Sequence, residues 1–257
     1  MSTKIVSWNV NSLHVRLPQV LDFLTTHQPD VLALQETKTT DALFPVEAIE
    51  SAGYQVVYAG QKSYNGVAVL ARSPITEVIT DLPGLDDPQR RVLAVTIGDL
   101  RVVDLYIPNG QSLDSDKFQY KQRWLQACGD FLTEQLAQHP RLVVLGDFNI
   151  APQGIDMHDP ARWQGRIMCS DYEQAWFQNR LNSGLCDVVR QQAGETPLFT
   201  WWDYRMNAYR RGWGLRIDHV LASHALTAID YGVETSYREH ERPSDHVPIW
   251  VTFFYNS

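Results

Sequence analysis

The chain has no apolar run approaching the ~18 residues of a membrane span, and its N-terminus, MSTKIVSWNV, lacks the apolar centre of a secretory signal. Neither a membrane span nor export is expected, and the cytoplasm is the expected compartment. Cysteine is scarce. Cys128, Cys169 and Cys186 are odd in number, far apart and in no metal-ligand spacing, which argues against a disulfide framework and fits a reducing compartment. There is no Gly-x-Ser-x-Gly, no Walker loop, no Gly-x-Gly-x-x-Gly and no histidine-rich zinc pattern. Positive charge is short as well: 22 Lys and Arg against 30 Asp and Glu leave a net charge of −8. Alone, that disfavours a polyanionic ligand. An acidic total can still hide a basic face, and surplus carboxylates are what a hard-cation site needs. No linker, low-complexity stretch or fixed-period repeat interrupts the 257 residues, so one domain over 1–257 is expected.

What the sequence does contain is a recurring kind of segment, a short apolar strand that ends in polar residues. Ile5 to Val10 ends in Asn9 and Asn11, and Val31 to Leu34 ends in Gln35 and Glu36. Leu100 to Ile107 ends around Tyr106 and Asn109, and Leu142 to Leu145 ends in Asp147 and Asn149. Arg216 to Leu221 carries Asp218 inside a strand pattern, and Ser244-Asp245-His246 leads into Val247 to Phe254. Asp147 and Asn149, two apart, are expected on one face of their strand. Amphipathic helices are predicted between these strands. Arg16 to His27 carries Leu17, Val20, Leu21 and Leu24; Asp116 to Gln138 carries Phe118, Leu125, Cys128, Leu132 and Leu136. Ser170 to Asn182 opens with the capping-box pair Ser170 and Glu173. Residues 54–107 read as strands joined by turns. The pattern predicts an α/β four-layer sandwich, two mixed sheets packed face to face and flanked by helices.

If the strands converge, their polar ends gather at one rim. The residues collected there are oxygen ligands plus one histidine. Carboxylates and amides suit Mg²⁺ or Mn²⁺ rather than zinc, and metal-assisted phosphoester hydrolysis is the matching reaction class. Such chemistry wants a base for the attacking water and donors for charge on the phosphoryl oxygens. Asp147 fits the first role; Asn9, Asn149, Tyr106 and His246 fit the second.

Seven motifs, SWNVN (7–11), LQETK (34–38), YNGVA (64–68), LYIPNG (105–110), LGDFN (145–149), GLRIDHVLAS (214–223) and SDHVP (244–248), resemble the exonuclease III family in order along nearly the whole chain. The resemblance implies the same four-layer fold and a Mg²⁺-dependent DNA-repair phosphodiesterase that acts, as a monomer, on duplex DNA with abasic, nicked or blocked 3′ ends. By the same carry-over, Glu36 is the principal metal ligand, with Asn9, Asn11 and Asp245 near the metal. Asp147 activates water or handles the leaving-group proton. Asn149, Tyr106 and Asn109 hold the scissile phosphate, His246 donates to it, and Asp218 orients His246. Two other readings remain at this stage: a phosphoesterase of the wider superfamily acting elsewhere, and a nucleic-acid-binding regulator without catalysis.

Expected DNA contacts are Tyr64, Asn65, Lys117, Lys121, Arg205, Arg210 and Arg211; around the last three, aromatic and basic residues interleave. The expected substrate pocket comprises Met168, Cys169, Trp202 and Leu215. At Met168 and Cys169 the chain departs from the resemblance, since relatives usually carry a small residue and then Phe. The expectation is that Met168 narrows the sugar pocket and disfavours an internal abasic site.

Overall fold

The computed structural model describes residues 2–254. In chain order the elements are β1 (Ser2–Asn9), α1 (Leu13–His27), β2 (Val31–Gln35), α2 (Val46–Ser51), β3 (Gln55–Ala59), β4 (Val67–Ala71), β5 (Ile75–Ile79), β6 (Val92–Ile97) and β7 (Leu100–Tyr106). There follow α3 (Asp116–Gln138), β8 (Leu142–Asp147), α4 (Pro160–Trp163), α5 (Asp171–Asn182), β9 (Leu185–Asp187), α6 (Val188–Ala193), β10 (Asp218–Ser223), β11 (Thr227–Val233) and β12 (Ile249–Phe254). Two six-stranded sheets form, ordered β11-β12-β1-β2-β4-β3 and β5-β6-β7-β8-β10-β9. Each is mixed, with one parallel pair at its centre, β1 with β2 and β7 with β8.

Alternation along the strands builds the layers. In β8, Val143 and Leu145 face the other sheet and pack with Ile5, Val31, Val69 and Val251, while Leu142 and Val144 face outward against Leu125, Phe131 and Leu132 of α3. The first sheet does the same: Ile5 points inward, whereas Val6 and Trp8 pack against Val20, Phe23 and Leu24 of α1. Central strands covered on both faces read as continuous apolar runs. The result is the expected helix–sheet–sheet–helix sandwich.

Helix boundaries follow local chemistry. Helix α3 begins where the Ser115 hydroxyl accepts from the Phe118 amide, satisfying one of the free donors of its first turn. Helix α5 has both arms of its capping box. Helix α1 starts at Leu13 rather than Arg16 and buries Phe23 alongside Val20 and Leu24; Leu17 and Leu21 sit at the margin. Its start carries no side-chain cap, and Asn11 and Ser12 adopt positive φ (44° and 97°). A periodicity argument has no signal for such a start.

Between the sheets lies a buried acid. Asp104 of β7 is wholly enclosed, and its Oδ1 accepts from Gln35 Nε2 of β2 at 2.7 Å, while its Oδ2 has no partner among the described residues. Burial raises its pKa well above the usual carboxylate range, against the smaller lowering by Gln35. An Asp raised in the fold takes up a proton on folding, so its contribution to stability is lost as pH rises from the unfolded value, ~4, to the folded one. Asp104→Asn keeps an acceptor for Gln35 and needs no proton. Its stability relative to the parent is expected to grow by about 1.4 kcal/mol per pH unit across that window. Denaturant midpoints at pH 5, 6 and 7 measure this; a difference that does not change with pH would contradict it.

Candidate active site

The topology brings the polar strand ends together. Asn9 and Glu36 stand at or just past the C-terminal ends of the parallel pair β1 and β2. In the other sheet, Tyr106, Asp147 and Asp218 lie side by side in register, Tyr106 opposite Asp147 and Asp147 opposite Asp218. His246 comes from the segment leading into β12. Gly146 makes the close approach possible: its φ is +136°, and a Cβ there would run into the Leu105 carbonyl of β7.

One amide ties the two sheets at the rim. Asn9 Nδ2 donates to Glu36 Oε1 and to Asp147 Oδ2, both at 2.9 Å. Asp147 also accepts from the Asn149 backbone at 2.9 Å and from Asn149 Nδ2 at 3.2 Å. Asp147 and Asn149 therefore do converge, but not as neighbours on a strand face. Strand β8 stops at Asp147, and Asn149 turns back with φ 51°. Asn149 Nδ2 donates to the Ile107 carbonyl, and Asn109 Nδ2 to Asn149 Oδ1, both at 3.0 Å. Tyr106 stands at the same rim with the Arg91 guanidinium 4.6 Å from its ring centre.

His246 sits between two carboxylates. Its Nδ1 is 2.9 Å from Asp218 Oδ2, and its Nε2 is 3.7 Å from Asp147 Oδ2. Asp218 is itself fixed by Thr200, whose hydroxyl donates to Oδ2 at 2.6 Å and accepts from the Asp218 amide at 3.1 Å. Burial alone pulls the imidazole pKa down; the charges of Asp218 and then Asp147 outweigh it and push it up to about 10. Burial raises Asp147, His246 opposes it, and repulsion from Asp218 and Glu36 adds, leaving it at about 7. Burial and then the Glu36 charge raise Tyr106 well above the usual phenol range, so it stays a donor.

Glu36, Asp147 and His246 offer ligand atoms that lie within 4.8 Å of one another. With His246 cationic, the oxygen donors are the ones suited to a hard divalent ion. The chain's own cation marks the place. Lys38 Nζ is 2.9 Å from Glu36 Oε2 and also donates to Asn11 Oδ1. Asn11 Nδ2 donates in turn to Asp245 Oδ1 at 2.8 Å, and Trp201 Nε1 donates to Asp245 Oδ2 at 3.0 Å. Glu36 and Asn11 are thus linked through the Lys38 ammonium, and Asn11 and Asp245 directly.

Other expected contacts separate sharply. Lys117 is exposed and lines a cleft of about 680 Å³ with Tyr64, Asn65, Tyr106 and Asn109. Tyr64 is exposed, while Asn65 is largely buried and held by Gln61 and Gln89. Lys121 does not reach the surface. It is wholly enclosed, pairs with Glu173 at 2.5 Å, and donates to the Asn149 and Asn109 carbonyls at 2.9 and 3.3 Å. It supports the loops that carry Asn109 and Asn149 from beneath and cannot touch a ligand. Arg205 is exposed and paired with Asp203; Arg210 and Arg211 are exposed, with Arg211 stacked 4.5 Å from the Trp213 ring centre.

The pocket residues are likewise deeper than expected. Cys169 and Leu215 are fully buried with Ala151, Met157 and Ile217, and Met168 joins that cluster at 5% exposure. Met168 holds φ 69°, its amide donating to Glu173 Oε1. Trp202 is core, packed on Ala208 and Val247. Its neighbour Trp201 faces the site instead, bridging by backbone to Leu215 and His246. Sequence reasoning passed over Lys38 and Thr200; Lys38 stood inside a recognised motif, whereas Thr200 carries no local signal.

The model of the endonuclease/exonuclease/phosphatase family matches residues 6–246. The Haemophilus influenzae protein named exodeoxyribonuclease III is 34% identical over 265 residues, spanning 97% of this chain and 99% of the relative. Among solved structures, the Neisseria 3′ phosphatase NExo bound to a product DNA hairpin is similar at TM-score 0.97 and 47% identity, over 98% of this chain and 100% of that one. An AP endonuclease from Archaeoglobus fulgidus is similar at TM-score 0.94 and 32% identity, over 99% and 100%. With a rim of strand ends built for a phosphoester and matches running nearly end to end, this chain belongs to the endonuclease/exonuclease/phosphatase family.

Proposed function

We propose that this chain is a divalent-cation-dependent DNA-repair hydrolase of the exodeoxyribonuclease III type, working at 3′ ends of duplex DNA. One observation carries the reading: Glu36, Asp147 and His246 converge within 4.8 Å, with Asp218 behind the imidazole. The names and coverage of the relatives support it. Among the described residues no helix is long and apolar enough to cross a membrane.

The reaction breaks the bond between phosphorus and the 3′ oxygen. Water supplies the new P–O bond, its proton passes to Asp147, and the 3′ oxygen leaves with the bond's electron pair and takes a proton from solvent to become a hydroxyl. Asn109 holds a phosphoryl oxygen, Asn149 reaches one by giving up its 3.2 Å bond to Asp147, and Tyr106 and cationic His246 donate as charge develops. Glu36, with Asn11 and Asp245, would hold Mg²⁺ or Mn²⁺, which supplies positive charge against the phosphoryl oxygens. Exposed Tyr64 and Lys117 on one side, and Arg205, Arg210 and Arg211 on the other, suit the duplex backbone.

Release of a 3′-phosphate, removal of a 3′ nucleotide and incision at an abasic site all break the same kind of bond. They differ in what hangs on the far side of the phosphate. The purified protein is to be tested on three duplexes: a nick bearing a 3′-phosphate, a recessed 3′-hydroxyl and an internal abasic analogue. EDTA is expected to abolish all turnover and Mg²⁺ to restore it; turnover unaffected by EDTA, or none on any DNA, would refute the reading. The 3′-phosphate and recessed end are expected to react faster than the abasic analogue. Met168→Gly empties its place in the buried cluster against which Trp201 packs and relieves a left-handed backbone that a side chain disfavours. It is expected to raise abasic incision about tenfold relative to phosphate release, the scale of a pocket-size change. Equal ratios in parent and variant would count against a gating role for Met168.

A further inference from the structure

Away from the catalytic rim, a half-buried thiol meets an imidazole. Cys186 lies on β9, the edge strand of its sheet, opposite Ala222 of β10. His224 stands just past the end of β10, and its Nδ1 is 3.3 Å from Cys186 Sγ. Antiparallel pairing brings the two together, and Ser223 pins the strand end. Its hydroxyl donates to the Pro140 carbonyl at 2.6 Å and accepts from the Leu142 amide at 3.1 Å. Ala222 lies four positions along β10 from Asp218, roughly 13 Å at the rise of an extended strand, a separation that keeps the pair out of the chemistry proposed above. Both side chains line a pocket of about 310 Å³, with apolar Phe177, Leu181 and Leu185 and the exposed amides of Gln178 and Gln191. Cys128 and Cys169 are fully buried, so Cys186 is the thiol that a reagent can reach.

A thiol reacts as its thiolate, and an adjacent base generates that form. Metal binding fits the pair less well. The adjoining carboxylate, Asp187, is held by Arg216 at 2.8 and 3.1 Å, which leaves two ligands where protein zinc sites take three or four. We infer that Cys186 is a site of thiol–disulfide exchange with a small peptide disulfide, and that His224 carries the proton. The Cys186 proton passes to His224 Nδ1. The thiolate attacks one sulfur of the disulfide, and the new Sγ–S bond forms as the old S–S bond breaks. Cys186 is oxidised to a mixed disulfide. The departing half is reduced, leaves as a thiolate and takes the proton from His224 to become a thiol. The pocket houses the retained half, with Gln178 and Gln191 as hydrogen-bond partners for its peptide groups. In a reducing compartment such a bond is transient, made when disulfide accumulates and undone by free thiol.

The test treats the full-length protein with oxidised glutathione at neutral pH and follows intact mass and peptide maps over time. One adduct per chain is expected, on Cys186, and an excess of reduced glutathione is expected to remove it. Cys186 is expected to react about tenfold faster in the native protein than in the same chain unfolded in urea. The factor is bounded because an ordinary thiol is already a few per cent ionised at pH 7. His224→Gln is expected to lose that advantage while still forming the adduct, and Cys186→Ser is expected to form none. The native-to-unfolded ratio comes from the parent alone, so it decides the matter even where a variant does not fold. No adduct on the native protein, modification of Cys128 or Cys169 ahead of Cys186, or equal rates in native and unfolded parent overturns the inference. A folded His224→Gln that reacts as fast as the parent overturns the role of His224.

Discussion

Asp147→Asn is expected to lower the maximal rate on a 3′-phosphate nick about 10³-fold, the middle of the range for a positioned general base. The protein is expected to stay folded and to bind the duplex. The substitution keeps the shape, and the carbonyl oxygen of the introduced amide still accepts from the Asn149 backbone N–H, a contact of 2.9 Å in the parent. What is lost is the ability to accept a proton, together with the bonds that the Asn9 and Asn149 amides donate to Oδ2. In the parent, burial and the neighbouring anions hold Asp147 at about 7, so activity without saturating metal should rise with pH through that region. The limb belongs to the Asp147–His246 pair rather than to one group. A bound divalent ion favours the carboxylate, so more Mg²⁺ should move the limb downward. Asp147→Asn should have no such limb. Single-turnover rates from pH 5 to 9 and gel shifts in EDTA measure both parts. A loss below tenfold would remove Asp147 as proton acceptor.

Much of this site was legible because each strand announced its own end. An apolar run such as Leu142–Leu145 has to be buried, and a carboxylate directly after it has to lie at an edge. The register then lines Asp147 up with Tyr106 and Asp218. Helix α3 could be read to its last residue, and the capping pair Ser170 and Glu173 marked the start of α5. What escaped was whatever depends on a distant partner. Lys117 and Lys121 are four apart on one helix, and periodicity treats them alike. Glu173, fifty-two positions from Lys121, and the Asn149 and Asn109 carbonyls draw the second into the interior. Trp201 and Trp202 are adjacent, so one faces in and the other toward the site; backbone bridges of Trp201 to Leu215 and His246 decide which. Asp104 looks like any polar residue within a strand until the opposing sheet places Gln35 against it.

Asp218→Asn is expected to reduce the rate at neutral pH about 10²-fold, within the range for lost proton-donor catalysis, and to change its pH dependence in a defined direction. His246 is held near 10 because two anions outweigh the burial that would otherwise lower it, and Asp218 is the larger of the two. With an amide in place of the Asp218 carboxylate the imidazole keeps a hydrogen-bond partner at Nδ1, and Thr200 can still orient the side chain. The cationic form loses its main support, so the imidazole pKa falls. The parent should remain active until His246 deprotonates on the alkaline side. The variant should lose activity as pH rises through the neutral range, because neutral His246 cannot both keep its Nδ1–H toward position 218 and donate from Nε2. A second comparison tests the mechanism: if Asp218 acts through His246, then His246→Ala and the double variant should have nearly the same rate. Fully additive losses, or an unchanged alkaline limb in Asp218→Asn, would show that Asp218 acts on the phosphate by another route.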